Sequence, residues 1–422
     1  MKKSLIALAA LAATASFAQS SVTISGLVDI GYGQVNAPGN NATPRGQTGD
    51  ISRAAMNGSA TTAIIISGTE DLGGGMRALF RYELNPDFVG GSGLTGGAGG
   101  QAAGFNAQGA SGNTDNNGAV TLGNGANGYN FVGIQTATMG AVRVGRLNTG
   151  TLSAWGTGSV FGTALGSGFG TSQIFARSVP SSGANFNNTA PTRFNGAVEW
   201  TSPTINSFTA RVLFVPQVNV AGAGGLYSCV ASSSAACADA SGSAAHQLAG
   251  ANRAGATDVS LAYNKGPLNA MVAQQSVKIG GNGVHTLVSP IANAYAGAAA
   301  YTGNYTLTTA AANYQVTPQL RGFAAYWTEK QGAVIDAKSY MLGARYSMGA
   351  VDLAISMANN NSKLSSNVDR KILGLGADYN LSKRTAVYAR YENRDANTND
   401  NTTDSSTAGA TKTTHVGIRH NF

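Results

Sequence analysis

Residues 193–214 read RFNGAVEWTSPTINSFTARVLF, and their alternation decides the fold. Phe194, Gly196, Val198 and Trp200 fall on one parity, and Arg193, Asn195, Ala197 and Glu199 fall on the other. After the turn signal SPTIN (202–206) the alternation resumes, with Phe208, Ala210, Val212 and Phe214 set against Arg211. A period of two sends successive side chains to opposite faces of a strand. The stretch therefore predicts a hairpin with one apolar and one charged face.

The pattern recurs along the chain. Val22, Ile24, Gly26, Val28, Ile30 and Tyr32 stand opposite Thr23, Ser25, Asp29, Gly31 and Gly33, with Leu27 as the exception. Met76, Ala78, Phe80 and Tyr82 alternate with Arg77, Leu79, Arg81 and Glu83. Tyr340 to Tyr346 stands against Arg345, Val351 to Met357 against Asp352, Val387 to Tyr391 against Arg390 and Glu392, and Val416 to Phe422 against Arg419. In all eight segments every Asp, Glu, Lys and Arg lies opposite the apolar set. A cation at the lipid midplane costs ~2–4 kcal/mol, which is a physical reason for that exclusion. A soluble sandwich with one wet face would also alternate. It would not gather aromatics at segment ends, where Tyr32, Tyr82, Trp200, Phe214, Tyr346, Tyr391 and Phe422 lie as in an interfacial girdle.

Spacing predicts the size. Short turns fall at LGGG (72–75), near Met139 and Gly140, and at SPTIN, NKGP (264–267), VTPQ (316–319), MGA (348–350) and LSKRT (381–385). Long Gly/Asn/Ser/Ala-rich stretches centre on 34–58, 85–128, 147–192, 216–256, 277–303, 329–337, 359–369 and 393–412. Seven turns alternating with eight loops predict an all-β, sixteen-stranded antiparallel transmembrane β-barrel with both ends on the periplasmic side. Sixteen strands enclose an aqueous channel.

Composition agrees with a barrel. Charged residues are only 11% and glycines number 57, which is poor for a soluble multidomain protein. No apolar run after the first twenty residues is long enough for a membrane helix. Lys2 and Lys3, the apolar run 5–15 and the small-residue site Ser16-Phe17-Ala18 predict a secretory signal peptide over 1–18, leaving a barrel domain over 19–422. The formal charge is +8, of which Lys2 and Lys3 would leave with the signal. A basic excess attracts anions. The chain lacks the Lys/Arg cluster expected of a nucleic-acid footprint, so no nucleic acid is expected as a partner. Cys229 and Cys237 close a ring of about nine residues, worth ~2.6 kcal/mol on the chain-entropy model if bonded. In an oxidising periplasm a disulfide is the expected state, with two reduced thiols as the alternative. His246 completes no ligand spacing, so neither a metal nor a cofactor is expected.

The motifs also resemble a family. SGTEDLGGGMRALFRYEL (67–84), AVRVGRL (141–147), RFNGAVEWTSP (193–203), YNLSKRTAVYARYE (379–392) and HVGIRHNF (415–422) resemble hairpins and the closing strand of the general porins of β-proteobacteria. The resemblance runs from Val22 to Phe422. It implies a homotrimer in outer-membrane lipid and lipopolysaccharide, with a third extracellular loop folded inward to narrow the pore. It also implies that Phe422, with His420 and Ile418 on the same parity, is read by the barrel-assembly machinery.

Such a family works by a transverse field, with basic wall residues facing acidic residues on the inward loop. Here the loop, about 148–192, contains no Asp or Glu and only one charge, Arg177. TTAIIISG (61–68) is neutral where relatives usually place basic residues, at Thr62 and Ser67. What remains on the lumen parity is Arg77, Arg81, Arg143, Arg193, Arg211, Arg345 and Arg390 against Asp29, Glu83, Glu199, Asp352 and Asp378, with the arginines, Glu83 and Glu199 as the pore-lining candidates. Arg146 is on the wrong parity unless a bulge carries it inward. The expectation is a general diffusion porin for small hydrophilic solutes and ions, weakly anion-preferring. Alternatives are a substrate-specific channel using Trp155, Phe161, Phe169 and Phe175, or a barrel adhesin. A barrel enzyme needs a nucleophile, base and orienting group in reach, and no Ser, Cys or His spacing suggests one.

Overall fold

The computed structural model describes residues 21–36, 51–86, 89, 128–162, 164–166, 192–219, 253–279, 305–331, 335–362, 370–396 and 411–422. The signal-peptide region, Arg177, Phe169, Phe175, Cys229 and Cys237 lie outside the described residues.

Seventeen strand segments form one antiparallel sheet. They are β1 (Ser21–Asn36), β2 (Ile51–Met56), β3 (Ala63–Gly73), β4 (Met76–Leu84), β5 (Asn130–Thr136), β6 (Gly140–Asn148), β7 (Arg193–Thr201), β8 (Phe208–Asn219) and β9 (Arg253–Lys265). After them come β10 (Leu268–Ile279), β11 (Tyr305–Gln315), β12 (Leu320–Gln331), β13 (Ile335–Met348), β14 (Val351–Ser362), β15 (Arg370–Asn380), β16 (Thr385–Ala396) and β17 (Thr411–Asn421). β2 pairs the loop-side half of β1 and β3 pairs the turn-side half, so these two segments share one wall position and the barrel has sixteen. β1 also pairs β17 and closes the ring.

Phe422 completes the closure. Its N–H and C=O both pair with Gly26, at 3.1 Å each. Gly26 has no room for a Cβ, which would stand 2.4 Å from the Ala63 carbonyl and 2.5 Å from the Phe422 ring. Closure removes every sheet edge, the condition a β-structure must meet in hydrocarbon.

The seven expected turns join strands on one end of the barrel. The stretch centred on 329–337 is not a long loop: the β12–β13 ladder runs to Gln331 paired with Ile335, leaving only 332–334 between the strands. There the ladder continues, and the polar residues Glu329, Lys330, Gln331 and Asp336, which read as loop, belong to the paired strands.

Apolar side chains on the outer parity are exposed, among them Val132, Ile134, Val272, Leu342 and Ile355. Trp200, Phe208, Tyr314, Tyr346, Tyr379 and Phe422 ring the turn end of the wall. The buried residues lie inside and include Asp29, Glu199, Asp258, Glu329 and Glu392.

One reading of the opening hairpin is corrected. Phe194 does not share the outer face with Gly196, Val198 and Trp200. Gly145 pairs Ala197 and Leu147 pairs Phe194, so two steps on β6 face three on β7. The extra residue sits where Gly196 takes φ +58°, a conformation that glycine alone adopts freely. The bulge turns Phe194 inward, where it is 1% exposed beside Leu147.

The outer face makes a direct prediction. Ile355→Arg places a cation against lipid and is expected to lower stability by ~2–4 kcal/mol relative to Ile355→Val. Urea titration of folding into phosphatidylcholine vesicles reads this; equal midpoints for the two variants would remove Ile355 from the hydrocarbon face.

Candidate functional site

The connection after β6 begins with a capped helix, α1 (Gly150–Gly158). Thr149 caps it by accepting from the Leu152 N–H at 3.2 Å. Asp258 on β9 accepts from the Gly150 N–H at 2.7 Å and from the Thr151 N–H at 3.4 Å, which sets a carboxylate at the positive end of the helix. Gln275 on β10 accepts from the Thr151 hydroxyl, and Asn313 on β11 donates to the Thr157 carbonyl at 2.8 Å. Trp155 is fully buried edge-on against Trp327 of β12, with ring centroids 4.6 Å apart. Beyond the helix, Arg345 of β13 donates to the Val160 carbonyl at 2.6 Å. Glu392 of β16 accepts from the Gly166 N–H at 2.8 Å. Residues 149–166 therefore run along the inner sides of β9 to β16, and no charged residue lies among them.

Trp155 and Phe161 are buried against the wall at 0% and 5% exposure, so these two aromatics pack the segment and present no surface to solute.

Arginines stand on two arcs of the inner wall. On β4 to β8, Arg81 pairs with Glu83 at 2.7 Å. Arg143 and Arg211 share Glu199, at 2.7 and 2.5 Å. Arg143 also donates to the Thr201 hydroxyl and lies 5.3 Å over the Phe131 ring, while Arg81 lies 5.8 Å over Tyr129. Arg211 donates to the Asn148 carbonyl. Arg193 is half-buried, with Glu83 and Arg81 as its charged neighbours. Arg77 is exposed near the turn end of β4.

The second arc spans β13 to β17. Arg390 is bidentate to Asp378 at 2.9 and 3.0 Å and packs 5.4 Å over Phe161 and 5.1 Å over Tyr388. Arg419 donates to the Ser59 hydroxyl at 3.0 Å. The two arcs lie roughly across the ring from one another, and the second also carries Asp352, Asp378 and Glu392.

The acids and bases differ in burial. Glu199 is 1% exposed as a side chain, while its partners Arg143 and Arg211 are 20% and 14% exposed. Arg81 is 29% exposed beside Glu83 at 10%. In these pairs the carboxylate is less exposed than its arginines, while on the second arc the order is reversed, with Asp378 8% and Arg390 4% exposed.

Of the residues expected from sequence, the structure brings together Arg81 with Glu83, and Arg143 with Glu199 and Arg211. Arg345 and Arg390 lie on the far arc. Arg146 follows Gly145, which takes φ +153° at the register shift between β6 and β7, and it is half-buried where Val142 and Val144 are exposed. Phe422, His420 and Ile418 are exposed on the outer face, with His420 Nδ1 2.9 Å from the Thr385 hydroxyl.

Asp258 and Ser59 were not singled out from sequence, and Arg419, placed on the charged parity, was not named as pore-lining. Asp258 had a signal, since Asp258, Ser260 and Ala262 alternate with Val259, Leu261 and Tyr263. Ser59 had none.

The chain matches the family model described as Gram-negative porin over residues 5–413. It is 30% identical over 439 residues to outer membrane porin protein 32 of Delftia acidovorans, covering all of both chains. Among solved structures it is similar to the anion-selective porin from Comamonas acidovorans, at 21% identity and TM-score 0.62, over 96% of this chain and 100% of that one. It is also similar to a trimer form of in-vitro folded OmpT from Vibrio cholerae, at 11% identity and TM-score 0.50, over 96% of this chain and 99% of that one.

Removing one partner of a fully buried ion pair costs ~3–5 kcal/mol. The arginines around Glu199 keep some water, so Glu199→Ala is expected to cost about 2–3 kcal/mol. Thermal unfolding in detergent, followed by circular dichroism, checks this. An unchanged melting temperature would mean that the Glu199 clamp carries no stability.

Proposed function

The chain belongs to the Gram-negative porin family, and on that premise we propose that it passes small anions in preference to small cations, with Arg81, Arg143 and Arg211 meeting lumen water ahead of Glu83 and Glu199. It is an outer-membrane diffusion porin, through which small hydrophilic solutes and ions cross passively. Family and fold are those of a channel rather than an enzyme.

The observation that carries the anion preference is the burial order of charge. A carboxylate at 1% exposure cannot attract a passing cation, while the arginines that share it still present N–H edges to solute. Arginine suits this because its planar guanidinium can hold one carboxylate and keep further donors free. In this reading the neutral segment at 149–166 narrows the lumen without adding a charge of either sign. With the described part of that segment neutral, the usual cross-channel field gives way to one arginine-bearing arc on β4 to β8, which selects by charge and orients dipoles weakly. The name of the Comamonas porin, which describes it as anion-selective, supports the same sign.

The assembly is read as a homotrimer, supported by the trimer form among the similar structures. Outer-membrane lipid and lipopolysaccharide would contact the exposed apolar belt. The barrel-assembly machinery would read Phe422 with His420 and Ile418, which stand together on the outer face beside the closing seam. The first eighteen residues are read as a signal peptide, so the mass of protein extracted from outer membranes should match a chain beginning at Gln19. A mass that includes Met1 would overturn that reading.

Planar-bilayer recordings across a potassium chloride gradient test the selectivity. The wild-type reversal potential should lie on the anion side. It should weaken with added salt, because the Debye length falls from ~10 Å at 0.1 M to ~3 Å at 1 M. Arg81→Gln with Arg143→Gln should move it toward zero, since Glu199 then keeps only Arg211. A wild-type reversal on the cation side would sink the proposal.

A further inference from the structure

On the loop side of β12 to β16 the apolar outer face ends at a line of tyrosines. Tyr326 and Tyr340 pair across β12 and β13 and are both exposed, and Tyr391 lies on the outer face of β16. Tyrosine settles where acyl chains give way to headgroups. Beyond that line the outward parity changes character.

Lys338 stands one step beyond Tyr340 on the outer face of β13, and Lys330 stands two steps beyond Tyr326 on β12. Lys371 is one step beyond Leu373 on β15, and Lys412 pairs Asn393, itself one step beyond Tyr391. A step on one face is two residues, or ~7 Å of strand. All four lysines are exposed. The residues beside them in sequence, Glu329, Ala337, Ser339, Ile372 and Thr413, are buried on the inner side. The lysine side chains therefore leave the barrel on its outer surface, above the apolar belt. Register sets Asp336 opposite Lys330 and Asp395 opposite Lys371. Lys338 pairs only the neutral Thr328 and Asn361, and Lys412 only Asn393 and Asn36, so the tier carries a basic excess.

The tier is one-sided and built of one residue type. No lysine occurs between Lys3 and Lys265, so the wall from β1 to β8 has none. The lumen cations described above are arginines, whose planar forks suit fixed carboxylates. Outside, the cation is a point charge on an apolar stem, which can lie along the belt and lift its ammonium to the headgroups. Such a group meets a phosphate as a point charge. Beneath the lysines, Leu342, Ile355, Met357 and Leu373 offer an exposed apolar surface to acyl chains. A partner that covers both features has a phosphorylated head on apolar chains. Phosphorylated heads packed side by side need a cation between them, and here the wall supplies one.

We propose that Lys330, Lys338, Lys371 and Lys412 form a docking tier for the phosphate groups of outer-leaflet lipopolysaccharide, met directly by ammonium groups with no bridging divalent cation. The proposal rests on the porin reading above, which sets the loop ends of the strands at the outer leaflet.

Native mass spectrometry of the detergent-purified porin tests it, with bisphosphorylated lipid A and the same lipid stripped of phosphate as probes. The parent should hold the phosphorylated lipid roughly tenfold more tightly than the stripped one. Changing all four lysines to Gln should bring the two lipids to parity, and changing all four to Arg should keep the difference. Lys338→Gln with Lys371→Gln, a milder variant, should reduce the preference to roughly threefold. Excess EDTA should leave the parent's preference intact, and inorganic phosphate should not displace the lipid, because a head without chains forfeits the belt. An undiminished preference in both Gln variants would overturn the tier. Loss of the preference in EDTA would overturn direct contact, and displacement by inorganic phosphate would overturn lipid as the occupant. In planar bilayers the Gln variants should keep the parent's reversal potential; a shift would put these lysines in the lumen and overturn their outward role. A parent that conducts nothing would defeat the porin reading instead, and the lipid preference is read independently of it.

Discussion

The constraint on which everything else depends is the backbone's need for hydrogen-bond partners in a medium that supplies none. An open sheet would leave a row of N–H and C=O groups against hydrocarbon. The chain meets the need by pairing β1 with β17 along ten residues and then tying Phe422 to Gly26 in both directions. Once the ring is closed, the two faces of every strand have fixed fates. At hydrocarbon depth the outer face must be apolar and is left exposed, as Val132 and Ile355 are, and the inner face must house every charge. Gly26 shows how tight the seam is, since one methyl group there would collide with a backbone oxygen and an aromatic ring.

That inversion makes the lumen a place where charge can be layered. Coulomb attraction fades quickly with water and salt between the charges, so the order in which groups meet solvent matters more than their number. Glu199 is counted in the formal charge, yet it is walled off by two arginines. Glu392 is spent on the Gly166 amide and Asp258 on the start of α1. Glu392 and Asp258 thus fasten the 149–166 segment, and Arg81, Arg143 and Arg211 stay the more exposed members of their pairs.

Much of this was legible in the sequence, because period-two alternation is enforced residue by residue. The short turns, the strand order and the inner placement of Arg81, Arg143, Arg211 and Arg390 follow from parity alone. What parity cannot show is where it breaks. Phe194 read as an outer residue because the bulge at Gly196 shifts the phase without any change in composition. Residues 57–62 read as the end of a loop and the start of a strand, since nothing local reveals that Asp29, far upstream, supplies their partners. Asp258 announced itself as an inner acid, but its role at a helix end depends on contacts more than a hundred residues apart in sequence.

The seam between Gly26 and Phe422 also has a kinetic meaning. It joins positions separated by almost the whole chain, and loop-closure entropy makes such contacts the slowest to form. Until it forms, β1 and β17 each expose an unpaired edge, a ready template for association with other chains. The barrel therefore gains its full stability only at its last step and cannot be assembled strand by strand into a series of stable intermediates. An exported chain of this design needs an escort until its two outermost strands have met.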